Sequence, residues 1–169
     1  MSASTPEHTE NIVLVTGATW GDNGLWVPIR ADGATGWVPR DALGGYEAVE
    51  TRLLVDTAAL TATLLRVNRV VFRARVGVGT ADAPTPTGSF YVRNRLTRYR
   101  SAFYGPVAFG TSARSRLTDW PAGGFVGIHG TSQPELLPGR VSHGCIRMRN
   151  ADILALARLM PVGTPVEIT

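Results

Sequence analysis

Arg69-Val70-Val71-Phe72-Arg73-Ala74-Arg75-Val76-Gly77-Val78 places apolar side chains at positions 70, 72, 74, 76 and 78, set against Arg73, Arg75 and Gly77. A period of two is the mark of a strand with one buried face. Reading outward, Thr61–Arg66 and Arg52–Asp56 are further strands, with a turn around Asn68. Residues 79–88 contain Pro84-Thr85-Pro86-Thr87-Gly88, a stiff connection into a strand at Ser89–Arg93. A loop-rich stretch over 94–124 holds a strand at Val107–Ser112, and the short apolar strand Phe125–Ile128 ends at His129-Gly130. One helix is expected after Asn150, its N-cap, with Asp152 in the first turn and Ile153, Leu154, Leu156, Ala157 and Met160 on its apolar side. Pro161 stops it, and Pro165–Ile168 is a closing strand. Ahead of all this, Ile12–Val15 is a short strand. Trp26–Ile29 and Trp37–Pro39 flank an Asp32-Gly33 turn, a hairpin expected to supply two core tryptophans. The fold class is mainly β with about one substantial helix.

The chain has 169 residues, which suits one domain or one domain with a small appendage. At 44% hydrophobic it can build a core, and no apolar run approaches the ~20 residues of a membrane-spanning helix. All 17 basic residues are Arg, so Schiff-base chemistry, a Ser-Lys pair and a phosphate-gripping lysine loop are excluded. The net charge of +4 gathers locally only at Arg93, Arg95, Arg98 and Arg100, so nucleic acid is not an expected partner. A diffuse positive field suits a substrate rich in carboxylates. Cys145 is the sole cysteine, which rules out an intramolecular disulfide and a Cys-rich zinc site. Residues 1–11 are polar, have no basic start leading into an apolar stretch, and are expected to form a disordered tail without a signal peptide.

Chemistry concentrates in Ile128-His129-Gly130-Thr131 and Ser142-His143-Gly144-Cys145-Ile146-Arg147-Met148. A lone buried Cys is usually an inert small hydrophobe. Here the thiol is set among Gly, His, Ser and Arg between a loop and a helix. A thiol of ordinary acidity is only a few per cent ionised at neutral pH, so a nucleophilic Cys needs a base or a positive charge beside it. His129 can be that base if the two loops meet.

These segments resemble the L,D-transpeptidase catalytic-domain family, in which a His-Gly or similar dipeptide is followed some 14–17 residues on by Ser/Thr-His-Gly-Cys; here Cys145 follows His129 by 16 positions. Thr85-Pro86-Thr87-Gly88, Cys145-Ile146-Arg147-Met148 and the helix beyond them are also similar, and the resemblance covers roughly residues 51–168. It implies a β-sandwich-like catalytic domain over 51–169, with no metal and no organic cofactor. Residues 12–50 look like part of a bacterial Src-homology-3-type barrel at about half its usual length.

The resemblance implies a peptidoglycan-building enzyme. It would cut the bond between the L-centre of diaminopimelate and D-alanine in a stem peptide, with Cys145 as nucleophile and His129 as base, and would be acylated by carbapenem β-lactams. His143 would orient the site or serve its oxyanion region, with the role of base as its alternative, and backbone N–H groups of His143, Gly144 and Cys145 are candidate oxyanion donors. A carbonyl near Gly130 is expected to hold the His129 tautomer. Arg147 is a candidate for gripping a substrate carboxylate, and Ser142 either lies near the thiolate or steadies the loop. The run from Arg93 to Tyr104, with Trp120, is a lid candidate or a solvated hairpin face, and Tyr104 a candidate substrate contact. His8 belongs to the tail.

Rival readings are an L,D-carboxypeptidase using water as acceptor, an inactive peptidoglycan-binding module, and another cysteine hydrolase. The last is disfavoured because papain-like enzymes place the nucleophile before the His. The implied substrate is extracytoplasmic, which leads to the expectation that this chain is a piece of an exported or anchored precursor.

Overall fold

A computed structural model describes residues 11–21, 25–31, 34–97, 102–115 and 124–169. In chain order the strands are β1 (Leu14–Val15), β2 (Trp26–Ala31), β3 (Ala34–Pro39), β4 (Thr51–Asp56), β5 (Thr61–Arg66), β6 (Arg69–Arg75), β7 (Gly77–Gly79), β8 (Gly88–Leu96), β9 (Ala108–Arg114), β10 (Phe125–His129), β11 (Gly139–Ser142), β12 (Ile146–Arg147) and, after helix α1 (Asn150–Leu159), β13 (Pro165–Ile168).

Strands β1, β2 and β3 form a three-stranded antiparallel sheet. The rest form one ten-stranded sheet in the order β11-β7-β12-β10-β9-β8-β13-β4-β5-β6. The decisive run 69–78 therefore splits. β6 is one edge of the sheet and β7 lies near the other, with Val76 between them donating its N–H to the Leu60 carbonyl at 3.0 Å. One residue of connection joins the two ends because the sheet curls on itself. Leu53, Val55 and Leu64 from one half share a single core with Val78, Ile128 and Ile146 from the other. The alternation holds at Ala74, Val76 and Val78, which are buried, but Val70 on the open edge is 57% exposed.

Helix α1 closes the core with Ile153, Leu156 and Ala157, and Met160 follows at its end. Leu154, expected on the apolar side, is 40% exposed because it sits a turn-fraction off the 153/156/157/160 stripe. Asn150 is the first helical residue rather than the N-cap; that place is taken by Arg149, which makes no side-chain cap bond. Replacing Leu156, wholly buried beneath the sheet, with Ala is expected to cost about 2–5 kcal/mol of unfolding free energy, measured by denaturant titration.

The tryptophans of the N-terminal sheet are not core. Val27 and Ile29 point inward, while Trp26 and Trp37 are 41% and 52% exposed and, with Trp20, line an open groove of about 360 Å³. This follows from the strand period: with 27 and 29 on the buried face of β2, 26 must lie on the other face. The Asp32-Gly33 turn, residues 1–10, Arg98, Arg100 and Trp120 lie outside the described residues. Among the described residues, no helix is long and apolar enough to cross a membrane.

Candidate active site

β10 and β12 are parallel neighbours, with Ile128 opposite Ile146 and His129 opposite Arg147. Paired residues on adjacent strands face the same side, and each strand alternates. Ile128, Ile146 and Met148 accordingly enter the core. His129, Arg147, Cys145 and Gly127 fall on the opposite face. Cys145 and His129 are one strand spacing and one two-residue step apart, about 8 Å between Cα atoms, a span their side chains can bridge.

The sulfur is held from β10. The Gly127 N–H donates to Cys145 Sγ at 3.3 Å. It is available because β10 shifts register against β9 between Phe125 and Gly127, while the Thr111 hydroxyl satisfies the Val126 carbonyl at 2.7 Å. Bulges of this kind commonly re-aim groups beside active sites. Cys145 retains 6% exposure, and His129 is fully buried.

His129 is fixed on several sides. Its Nδ1 meets the Gly130 carbonyl oxygen at 2.6 Å. A carbonyl can only accept, so Nδ1 carries the proton in this contact and Nε2 is left as the basic nitrogen of the neutral ring. The Tyr104 ring packs edge-on at 4.7 Å between centroids, and the Phe103 ring lies 5.8 Å away. Phe103 also carries the Arg147 guanidinium over its face at 4.5 Å. Asn150 Oδ1 accepts the Thr131 N–H at 2.9 Å, tying the turn after His129 to the first residue of α1. A Cβ on Gly130 would run into Asn150 Oδ1 and press on Gly105 and Pro106, so the turn admits only glycine.

β11 and β12 flank β7, so His143-Gly144-Cys145 arches over the end of β7. Ser142 is 1% exposed; its hydroxyl donates to the Cys145 carbonyl and accepts the Gly144 N–H at 3.2 Å. Of the two roles offered for Ser142, the loop-steadying contacts are those present. The Gly144 N–H, a candidate oxyanion donor, faces into its own loop through the same bond. Gly144 has φ +116°, which favours glycine. His143 is exposed on the arch. Further along the same face, Arg93 is buried at 4% with its guanidinium 3.8 Å from the centre of the Phe125 ring, so it is no part of a solvated hairpin face. Among the described residues, no three His, Cys, Asp or Glu side chains gather as a metal site.

A family model for the L,D-transpeptidase catalytic domain matches residues 50–168. The chain belongs to that family. YkuD of Bacillus subtilis, a protein bearing an L,D-transpeptidase name, is 37% identical over 116 residues, 69% of this chain and 64% of the relative. The catalytic domain of the Enterococcus faecium L,D-transpeptidase superposes with TM-score 0.52 at 26% identity, over 73% of this chain and all of that domain. L,D-transpeptidase 3 of Mycobacterium tuberculosis, solved with a faropenem-derived adduct, is alike in fold, with TM-score 0.56 at 15% identity over 85% of this chain and 67% of that one. The mainly β architecture with its curled sheet matches that of L,D-transpeptidases. In this L,D-transpeptidase domain, sequence reasoning missed the Gly127 N–H on the sulfur, the contacts that Thr85 makes with the arch and Phe103 with His129 and Arg147, and the tie from Asn150 to the turn after His129. Asn150 left a signal as a polar side chain at a helix start, Thr85 as part of the Thr85–Gly88 stretch and Phe103 as part of the Arg93–Tyr104 run, whereas Gly127 left none.

Proposed function

We propose that this chain is a cysteine acyltransferase that cleaves the diaminopimelate–D-alanine bond of peptidoglycan stem peptides and passes the acyl group to an amine, forming cross-links outside the cytoplasmic membrane. The observation that carries the reading is the shared face of β10 and β12, which presents Cys145 and His129 to the same space with Nδ1 of the ring already committed to a carbonyl.

His129 Nε2 takes the thiol proton, and the sulfur, steadied by the Gly127 N–H, attacks the carbonyl carbon. An S–C bond forms and the carbonyl electron pair moves to oxygen. As that pair returns, the C–N bond breaks and D-alanine leaves with the proton from His129. The acceptor amine then attacks the thioester, yields its proton to His129, and displaces the thiolate, which recovers it. Arg147 lies directly across from His129 and offers a planar guanidinium to a stem carboxylate. Tyr104 fixes the base, and the positive charge of the chain favours a carboxylate-rich donor.

The test is a purified tetrapeptide stem incubated with and without an amine acceptor. Release of D-alanine with a cross-linked product when amine is present supports the proposal. Release with only tripeptide product, amine or no amine, makes the chain a carboxypeptidase. No release from folded protein favours the inactive binding module. The adduct seen on the M. tuberculosis relative supports β-lactams as covalent inhibitors here.

A further inference from the structure

β10 ends at His129, whose carbonyl accepts the Met148 N–H at 2.8 Å, so β12 fixes the peptide that joins His129 to Gly130. The next peptide, Gly130–Thr131, follows the two soft torsions of a glycine. It carries the carbonyl that meets His129 Nδ1 at 2.6 Å. In a trans peptide the carbonyl and the N–H point in opposite directions. On the far side of the same plane, the Thr131 N–H donates to Asn150 Oδ1 at 2.9 Å. The plane is thus gripped at both ends, by the imidazole and by Asn150.

The outer grip is firm. Asn150 opens α1, which is anchored in the core by the wholly buried Ile153 and Leu156. Its amide oxygen lies in a notch between two chain segments, because a Cβ on either Gly105 or Gly130 would run into it. Gly105, at φ +67°, directly follows Phe103 and Tyr104, whose rings flank the imidazole. A backbone N–H can only donate, so the oxygen of the Asn150 amide is the atom that faces Thr131. If the plane turned, the Gly130 carbonyl would leave Nδ1. A neutral imidazole carries one proton, and a ring that holds it on Nε2 cannot take the thiol proton there. Fixing the plane therefore fixes which nitrogen is basic.

We propose that Asn150 is a positioning residue for the base: by holding the Thr131 N–H it sets the Gly130 carbonyl, and through that carbonyl it keeps the His129 proton on Nδ1. The inference rests on the acyl-transfer reading above, in which Nε2 takes the thiol proton. Asn150 itself touches no reacting atom.

The experiment reads the proton and the reaction separately. Nitrogen-15 NMR on histidine-labelled protein, at a pH where the ring is neutral, distinguishes a bare from a protonated ring nitrogen. The chain has three histidines, and His129→Ala assigns the signals of this one. Carbapenem acylation is timed by intact mass on the same samples, with Tm recorded for each. The parent is expected to show Nδ1 protonated and Nε2 bare. In Asn150→Ala the two nitrogens are expected to move toward a common shift as both tautomers populate. Its acylation is expected to slow at least about tenfold, since a correctly placed base is worth about 100-fold or more. Asn150→Asp keeps an oxygen facing Thr131 and is expected to retain the parent signature and to acylate within about threefold of it. A purely structural role would lower Tm and leave the nitrogen shifts in place. A folded alanine chain with the parent's shifts or the parent's rate, an aspartate chain that behaves like alanine, or a parent protonated on Nε2 overturns the proposal. Should alanine fail to fold, Asn150→Ser, whose hydroxyl stops one bond short of Thr131, takes its place in both measurements. A parent chain that never acylates refutes the acyl-transfer reading itself, while the comparison of nitrogen shifts still decides whether Asn150 governs the ring.

Discussion

Incubated with a carbapenem, the parent chain gains the mass of one adduct, and the Cys145→Ala chain gains none. The magnitude is all-or-none because Cys145 is the sole thiol and there is no lysine to offer a second strong nucleophile. The substitution is mild for the fold. It leaves the backbone arch held by the Ser142 and Thr85 hydroxyls through the Cys145 and Gly144 carbonyls, so Tm is expected to change little. Intact mass spectrometry with peptide mapping decides the matter. No adduct on well-folded parent protein removes the enzyme reading, and an adduct that survives in the alanine variant moves the nucleophile elsewhere.

Replacing His129 with Ala is expected to slow that acylation at least about 100-fold, the scale of a lost general base. The imidazole is buried between the Gly130 carbonyl and the Tyr104 ring, and no other side chain on that face of β10 and β12 is a base. The fold should persist, because the core face of β10 is carried by Ile128 and not by His129. Stopped-flow or timed mass measurements provide the rate and far-UV circular dichroism the control. Unchanged acylation would transfer the proton-handling role to His143, which lies exposed on the arch over β7.

Much of this was readable before any coordinates. The alternation in 69–78, the Pro161 stop and the spacing from His129 to Cys145 depend on local periodicity and on side-chain chemistry, both of which the chain displays openly. The carbonyl expected near Gly130 is the one that Nδ1 meets. What stayed hidden depends on tertiary closure. The break at Val76 follows from the sheet curling shut, which no ten-residue window reports. The two tryptophans taken for core face outward because Val27 and Ile29 face in, and pattern alone does not say which side of a hairpin meets a neighbour. Thr85 reads as part of a stiff connection until the chain folds and brings it onto Gly144, 59 positions away. Strands β11 and β12 are too short to carry a period.

β10 and β12 give alternate residues to the core and to the chemistry, and this couples solidity to reactivity in an unusual way. A slip of a single residue between these ribbons would turn the thiol toward the apolar core and bring isoleucine to the side that holds His129. The molecule therefore has no half-active arrangement to rest in. Ile128 and Ile146 belong to the single core, so loosening of this pairing would disturb the sulfur and the core together.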